Sequence, residues 1–229
     1  MAPRIRTIGS YATQEKYSIN FFGEELIVTV TPDPSVIGQW IHDVLSNNRF
    51  SSHPLVVGVG VQWTPPGYYS DSPPVNHYSD SSSGGYYDPP ADTLQLCVGN
   101  RSIIIQLSHC DRVPRVLHYF LANPDYTFVG VWNSQDARNL ERSRHQLEID
   151  DLLDLRKYVE DSRGRRSLVR CSFEVIVEEC LGYRGVRLDR EISMSDWSAY
   201  DLCDDQILQA SIDVHVCFKL GVKYRLWKV

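Results

Sequence analysis

The chain has 229 residues, of which 42% are hydrophobic, and its formal net charge is −6 at pH 7. A chain of this size and composition buries one hydrophobic core, so we expect a single domain. The acidic balance excludes a protein that coats duplex nucleic acid by charge alone. No apolar run reaches the roughly 18 residues of a transmembrane helix, and the polar start Met1–Ile8 does not resemble a signal peptide. We therefore expect an intracellular protein, nuclear or cytoplasmic, that contacts no membrane.

The first part of the chain predicts a tail, a hairpin and a helix, in that order. Residues 1–16 are expected to form a loose N-terminal tail. Residues 17–30 read as two strands joined at Gly23, which indicates a hairpin. Residues 31–34 then cap a helix over Ser35–Asn47, whose apolar positions recur at helical spacing: Val36, Ile37, Trp40, Ile41, Val44 and Leu45.

Leu55–Trp63 is a β-branched apolar run that ends in Thr64-Pro65-Pro66-Gly67, and it predicts a strand buried on both faces. Side chains alternate along a strand, so one face carries Val57, Val59, Val61 and Trp63. The other face carries Val56, Gly58, Gly60 and Gln62. Glycine inside a central strand packs nothing, and two of them predict that a backbone or a ligand approaches this face closely.

An insertion over residues 65–92 follows this strand and is rich in Pro, Ser, Gly and Tyr. Nothing in it builds a core, so solvated disorder is the simplest interpretation. Two alternatives remain open. The insertion is a lid whose tyrosines, Tyr68 and Tyr69 among them, stack on bases, or it is a docking or phosphorylation segment for a protein partner.

The rest of the chain predicts alternating hairpins and helices. Two strands over residues 93–99 and 102–107 form a hairpin, a helix covers 113–121, and a strand covers 128–132. Asp136 opens a further helix, and helical patterns cover residues 149–159, 168–181 (ending at Gly182) and 204–220. Hairpins that feed one mixed sheet, with helices on its faces, predict a three-layer α/β or α+β fold.

Four segments in this order carry a resemblance: Leu55–Trp63, Thr93–Gly99, Asp125–Val131 and Ile192–Trp197. Together they resemble the Werner-type 3′–5′ exonucleases of the DEDD superfamily, plant members in particular. The resemblance implies an RNase H-like exonuclease domain over residues 17–223, with residues 224–229 as a C-terminal tail. It also implies phosphodiester hydrolysis with two Mg²⁺ or Mn²⁺ ions held by acidic side chains.

Carried over position by position, this resemblance leaves the catalytic set incomplete. Asp136 and Asp213 stand at two of the family's acid positions. Gly60 and Gln62 stand where the first strand supplies Asp and Glu, and Gln209 replaces the Tyr that precedes the last acid. Two carboxylates cannot balance two divalent ions, so we expect at most one weakly held ion at Asp136 and Asp213. Mg²⁺ or Mn²⁺ is the expected cofactor only if some nuclease activity survives.

Three functional hypotheses follow. The first is a degenerate, inactive nuclease that binds single-stranded nucleic acid or a 3′ end, with candidate contacts at Arg138, Arg142, Trp132, Tyr68 and Tyr69. The second is a working nuclease that recruits an acid of the insertion: Asp71, Asp80, Asp88 or Asp92. The third is a protein-interaction module that uses residues 65–92.

Simpler interpretations of the same residues also remain open. Asp136 is then a helix cap, and Asp213 is an ordinary acid on a helix face. The arginines are solvated surface, and Asp150, Asp151 and Asp154 form a solvated acidic face.

Overall fold

A computed structural model describes residues 3–68, 89–131, 133–161, 164 and 168–229. Within these ranges eight strands form one sheet: β1 (Arg4–Tyr11), β2 (Gln14–Phe21), β3 (Glu24–Thr31), β4 (Val56–Gln62), β5 (Thr93–Val98), β6 (Arg101–Gln106), β7 (Thr127–Gly130) and β8 (Leu152–Asp154). The same ranges hold six α-helices: α1 (Pro34–Asn48), α2 (Arg115–Leu121), α3 (Asp136–Arg142), α4 (Phe173–Leu181), α5 (Arg190–Ser193) and α6 (Asp204–Lys223). None of these helices is long and apolar enough to cross a membrane.

The sheet is mixed, and its order is β1-β2-β3-β6-β5-β4-β7-β8. The pairs β1–β2, β2–β3, β6–β5 and β5–β4 are antiparallel, whereas β3–β6, β4–β7 and β7–β8 are parallel. Strand β4 therefore lies inside the sheet, between β5 and β7. The predicted mixed sheet with flanking helices is confirmed.

The core is divided by the sheet into two clusters, and β4 contributes to both. Val57, Val59 and Val61 pack into the cluster beneath α1, α2 and α3. Val56 packs into the other cluster, which holds residues of α4 and α6. This is the alternation that the sequence of β4 predicts, and it leaves the glycine face of β4 directed at α6.

Helix α6 lies directly on that glycine face. A Cβ atom built on Gly58 would stand only 1.9 Å from the backbone oxygen of Val214, and one built on Gly221 would stand 2.8 Å from Val56 Cγ1. No side chain fits in either place. The close approach predicted from the glycines of β4 is therefore an approach of helix backbone to strand backbone.

Several predicted boundaries agree with the structure. The helix predicted over 35–47 is α1, and the Asp33 carboxylate accepts hydrogen bonds from Ser35 N (2.8 Å) and Val36 N (3.2 Å) at its N-terminus. The helix predicted over 168–181 is α4, which ends as predicted before Gly182 (φ +74°). It begins only at Phe173, because residues 168–170 form a separate 3₁₀ turn. The last predicted helix, α6, continues to Lys223.

Three predictions differ from the structure. Residues 4–11 and 14–16 were expected in a loose tail, but they form β1 and the start of β2, because an edge strand beside solvent needs few apolar residues. Residues 149–159 were expected to be helical, but Leu152–Asp154 pairs with β7, since a short apolar run suits either element. The predicted tail 224–229 contains a 3₁₀ turn with Leu226 buried. Residues 69–88 of the insertion lie outside the described residues.

Candidate active site

The candidate site lies where β4, β7 and β8 end, because the carboxyl ends of these parallel strands meet at one edge of the sheet. Gly60 and Gln62 belong to the last part of β4. Asp136 is the first residue of α3, which follows β7, and Asp154 is the last residue of β8. The helix-cap position itself is taken by Gln135, so Asp136 is not the cap.

The middle of α6 brings Asp213 to the same edge. A Cβ atom on Gly60 would stand 3.7 Å from Asp213 Oδ2, so a side chain at position 60 would point towards this carboxylate. Asp136 lies within electrostatic reach of both Asp213 and Asp154. The structure therefore brings Gly60, Asp136 and Asp213 together and adds Asp154 to them.

Burial and mutual repulsion make these carboxyl groups unusually hard to ionise. Burial, followed by the nearby charges of Asp213 and Asp154, raises the pKa of Asp136 well above its ordinary value. Burial also raises the pKa of Asp213 to about 7, while the Cys217 thiol, 3.8 Å from Asp213 Oδ1, opposes that rise. Below neutral pH the site therefore holds protons that ordinary aspartates release.

Asp154 is a site residue that the sequence did not reveal. It is only 7% exposed, whereas its predicted companions Asp150 and Asp151 are exposed. Arg156 Nε donates to both of its carboxylate oxygens, at 3.0 and 3.1 Å. The Asp154 charge is thus largely matched by Arg156. Only the pairing of β8 with β7 separates Asp154 from its exposed neighbours, and no sequence pattern signals that pairing.

Gln95, on β5, occupies the space beside Gly60. The two residues are register partners in the β4–β5 ladder. Gln95 Oε1 lies 2.9 Å from the position of a Cβ atom on Gly60, and Val214 Cγ1 lies 3.0 Å from it. The Gln95 amide is held by a hydrogen bond from Nε2 to Thr93 Oγ1 (2.6 Å), while its buried Oε1 has no partner among the described residues. An acid at position 60 would meet this amide.

Gln209 faces α5 and serves as a structural tie. Its Oε1 accepts from Asp189 N at 2.6 Å, and its Nε2 donates to Asp189 O at 3.1 Å and to Ser193 Oγ at 2.9 Å. These three bonds fasten both ends of α5, at Asp189 and Ser193, to α6. His215 points away from the site as well, and its Nε2 lies 3.2 Å from Glu24 Oε2. Gln209 and His215 are therefore both engaged by residues outside the candidate site.

The predicted nucleic-acid contacts are only partly described. Arg138 and Arg142 are exposed on α3, one turn apart, next to Asp136. Tyr68 is 50% exposed at the end of the segment that follows β4. Trp132 and Tyr69 lie outside the described residues. The two arginines share a helix with Asp136, and their contact with phosphates stays a prediction.

A profile of the 3′–5′ exonuclease family matches residues 83–228. The chain belongs to the 3′–5′ exonuclease family. The matched range begins after β4, so it does not include Gly60 and Gln62. It does include Asp136, Asp154 and Asp213.

Curated proteins and solved structures resemble this chain at low sequence identity. A 3′–5′ exonuclease of Drosophila grimshawi is 26% identical over 136 residues, which are 55% of this chain and 39% of that protein. Escherichia coli RNase D, an exoribonuclease involved in structured RNA processing, shares the fold with a TM-score of 0.59 and 18% identity, over 86% of this chain and 44% of that one. The EXO domain of Aedes aegypti Nibbler gives 0.52 and 15%, over 82% and 84%. The predicted RNase H-like fold is confirmed, and this chain matches less than half the length of the fly protein and of RNase D.

The residues of this exonuclease-family chain do not fit a pair of divalent ions. Among the described residues, no three His, Cys, Asp or Glu side chains are arranged to hold a metal. Gly60 offers no ligand, and the Gln95 amide and Val214 fill the space where an acidic side chain would reach the ions. Asp154 is paired with Arg156, so Asp136 and Asp213 remain as the anionic ligands. These two carboxylates alone do not complete a two-metal site.

Asp213→Asn is expected to stabilise the protein at alkaline pH and to leave its stability near pH 4 almost unchanged. The folded-state pKa of Asp213, about 7, lies above its ordinary value of 3.8. The native state thus binds the proton more tightly, and stability is lost as pH rises between these two values. The full difference corresponds to about 4 kcal/mol, and we expect roughly 1–3 kcal/mol at pH 8, because the site is partly open.

Urea unfolding of both proteins between pH 4 and pH 9, with EDTA present, tests this expectation. The charged or titratable groups around Asp213 are Asp136, Asp154 with Arg156, and Cys217. Asp125→Asn, a change at an exposed acid outside the site, is the matched control and should show no such gain. A gain for Asp213→Asn that is equal at all pH values would contradict the explanation from burial.

Proposed function

We propose that this chain is an exonuclease domain that has lost hydrolysis and binds nucleic acid, preferably a single-stranded 3′ end. One observation carries the proposal: Gly60 stands at the first-strand acid position, and the buried amide of Gln95 fills the adjoining space. We assign it to the Werner-type exonucleases, plant members in particular, on the four segments that carry that resemblance. A nuclear or cytoplasmic location belongs to the same proposal.

The loss of hydrolysis follows from what two-metal catalysis requires. Each ion needs anionic oxygen ligands from separate elements, so that one ion activates water and both stabilise the leaving oxygen. Losing an outer-shell partner alone typically costs about 10–100-fold in affinity or activity. Direct ligands are lost at positions 60 and 62, and Gln95 fills the space beside Gly60. Together these changes should lower metal affinity and activity by more than that. We therefore expect at most one Mg²⁺ or Mn²⁺ ion, weakly bound.

The rival hypothesis of a working nuclease needs a substitute acid. Asp92 is the one described candidate of the insertion, and its carboxylate is already engaged. Its Oδ2 accepts from Thr64 N at 2.7 Å, and its Oδ1 accepts from Ser108 Oγ at 2.5 Å. Asp92 therefore fastens the end of β4 to the segment after β6. The other candidates, Asp71, Asp80 and Asp88, lie outside the described residues, as does most of the segment proposed for a protein partner.

The test is a 3′-end assay with a labelled single-stranded oligonucleotide in Mg²⁺ or Mn²⁺. We expect a gel shift that weakens as salt rises, because phosphate contacts release counterions, and no shortening of the strand. Shortening that is lost in an Asp136→Asn/Asp213→Asn variant would establish a working nuclease. Neither shortening nor a shift, on DNA or RNA at low salt, would favour the protein-interaction module.

A further inference from the structure

A groove lined by basic and aromatic residues lies at the sheet edge opposite the candidate site. It consists of two adjoining cavities of about 470 and 390 Å³, and His53 lines both. Arg225, Trp227 and Lys228 line one cavity, and Arg101 and Phe218 line the other. We call this surface the basic groove. Asp213 precedes Val222, another lining residue, by nine residues, so about 14 Å of α6 separates the two sites.

The charge of the basic groove contrasts with that of the whole protein. The net charge of the chain is −6, yet none of the residues lining the two cavities is acidic. Arg225 and Lys228 form no ion pair with any residue in the described part of the chain, while Arg101 lies 3.6 Å from Asp43 Oδ2. The groove therefore presents uncompensated positive charge, which suits an anionic ligand.

A further observation indicates that this charge does more than neutralise the end of a helix. Cations after a helix C-terminus are favourable by themselves, and Arg225 and Lys228 follow α6. Here, however, the cations line the same cavity as two aromatic rings, those of His53 and Trp227, which stack at 5.2 Å and 16°.

A neighbouring acidic surface fixes the direction in which an anionic ligand could lie. Trp227 also lines a third cavity, of about 450 Å³, which contains Asp125, Asp150 and Asp151. A polyanion would be repelled there. It would extend from Trp227 past His53 towards Arg101, along the two basic cavities.

We propose that the basic groove binds a short stretch of single-stranded nucleic acid. Its phosphates would contact Arg225, Lys228 and Arg101, and a base would stack on the ring pair of Trp227 and His53. Flat rings next to unpaired cations are the two elements of a single-strand binding surface. An acidic peptide would satisfy the cations but would offer no planar group to stack on the half-buried ring pair of Trp227 and His53, so we favour nucleic acid.

The test is fluorescence anisotropy with a fluorescein-labelled oligothymidine, titrated at several salt concentrations. Arg225→Ala/Lys228→Ala should weaken binding about tenfold and reduce the slope of log K against log salt by about 1.4, since single strands lose about 0.7 per phosphate contact. Trp227→Leu should weaken binding about fivefold to a hundredfold with the slope unchanged, because stacking carries no net charge. Circular dichroism melting would show that the variants are folded.

Two control variants separate this proposal from the function proposed above. Arg112→Ala/Arg115→Ala removes the same charge from another exposed region and should bind within twofold of the native protein. Arg138→Ala/Arg142→Ala tests the rim of the candidate active site. Loss of binding in that variant, with Arg225→Ala/Lys228→Ala unaffected, would overturn the basic groove and leave the proposed function intact. The converse result would support the groove and count against the active-site rim.

A competition experiment tests whether the anionic ligand is a nucleic acid or an acidic peptide. A poly-glutamate peptide of matched charge should displace the oligothymidine poorly, because it lacks rings that stack on Trp227. Equal displacement by the peptide, together with equal loss of both ligands in Trp227→Leu, would overturn the assignment to nucleic acid and identify an acidic protein segment as the ligand.

Discussion

Gly58→Ala is expected to cost at least about 3 kcal/mol of unfolding free energy, or to prevent folding. The added Cβ would lie 1.9 Å from the backbone oxygen of Val214 and 2.8 Å from the backbone nitrogen of Phe218. Both atoms belong to the helical backbone of α6, so no side-chain rotation relieves the overlap. The helix would have to move away from β4, which would open the core on that face of the sheet.

Gly38→Ala is the matched control for this substitution. Gly38 lies within α1, where the nearest atom to an added Cβ is Val116 Cγ1 at 3.7 Å. Alanine is favoured over glycine in a helix by about 1 kcal/mol, so this variant should be slightly more stable than the native protein. Urea unfolding measures both. A Gly58→Ala protein as stable as the native one would mean that α6 does not rest on β4.

Restoring acidic side chains at positions 60 and 62 alone is not expected to create a metal site. Gly60→Asp/Gln62→Glu should lose roughly 1–3 kcal/mol of unfolding free energy through overpacking and should bind no Mn²⁺ in calorimetry. The new carboxylate would meet Gln95 Oε1 and Val214 Cγ1 and would lie beside Asp213, so it would add charge to a crowded space. Adding Gln95→Ala should recover part of that stability and should create measurable Mn²⁺ binding.

A double-mutant cycle between positions 60 and 95 isolates this effect. Gln95→Ala should be destabilising in the native protein, where it leaves a cavity, and less so by at least about 1 kcal/mol beside Gly60→Asp. Val214→Ala is the control, because its side chain meets the same point from α6. If Val214→Ala rescues Gly60→Asp as well as Gln95→Ala does, the region is merely crowded and Gln95 has no special role.

The sequence alone also points to Gln209→Tyr as a restoring change, and the structure argues against it. Tyrosine would remove three hydrogen bonds that hold Asp189 and Ser193 to α6. A variant that keeps Gln209 is therefore the better background for seeking metal binding. Position 209 lies about one turn before Asp213 on α6, but its side chain is hydrogen-bonded to Asp189 and Ser193.

The elements with long, regular patterns could be predicted from the sequence, whereas those that depend on a partner strand could not. The alternation in β4 predicts both its buried faces and its contact with close neighbours, because Gly58 lies against the backbone of α6 and Gly60 lies against the side chains of Gln95 and Val214. The helical spacing in α1 and α6 is equally explicit. By contrast, β8 has three residues, too few for a pattern, and only its ladder with β7 defines it.

The candidate site shows the same division. Asp136 and Asp213 could be found because a family resemblance marks their positions. Asp154 and Gln95 could not, since their roles come from strand register: Asp154 pairs with Gly130, and Gln95 pairs with Gly60. A residue that fills space beside another strand leaves no signal at its own position in the chain.

The pairing of Gln95 with Gly60 also bears on how such a protein could change over generations. Regaining a carboxylate at position 60 while Gln95 remains leads through a less stable protein that still holds no metal, so the first step brings a cost without a benefit. Shortening Gln95 first opens a void in the core and restores nothing. Each single substitution is unfavourable, and only the two together would reopen the space beside position 60. Under the function proposed above, every route back to a metal site would therefore pass through an unfavourable single substitution.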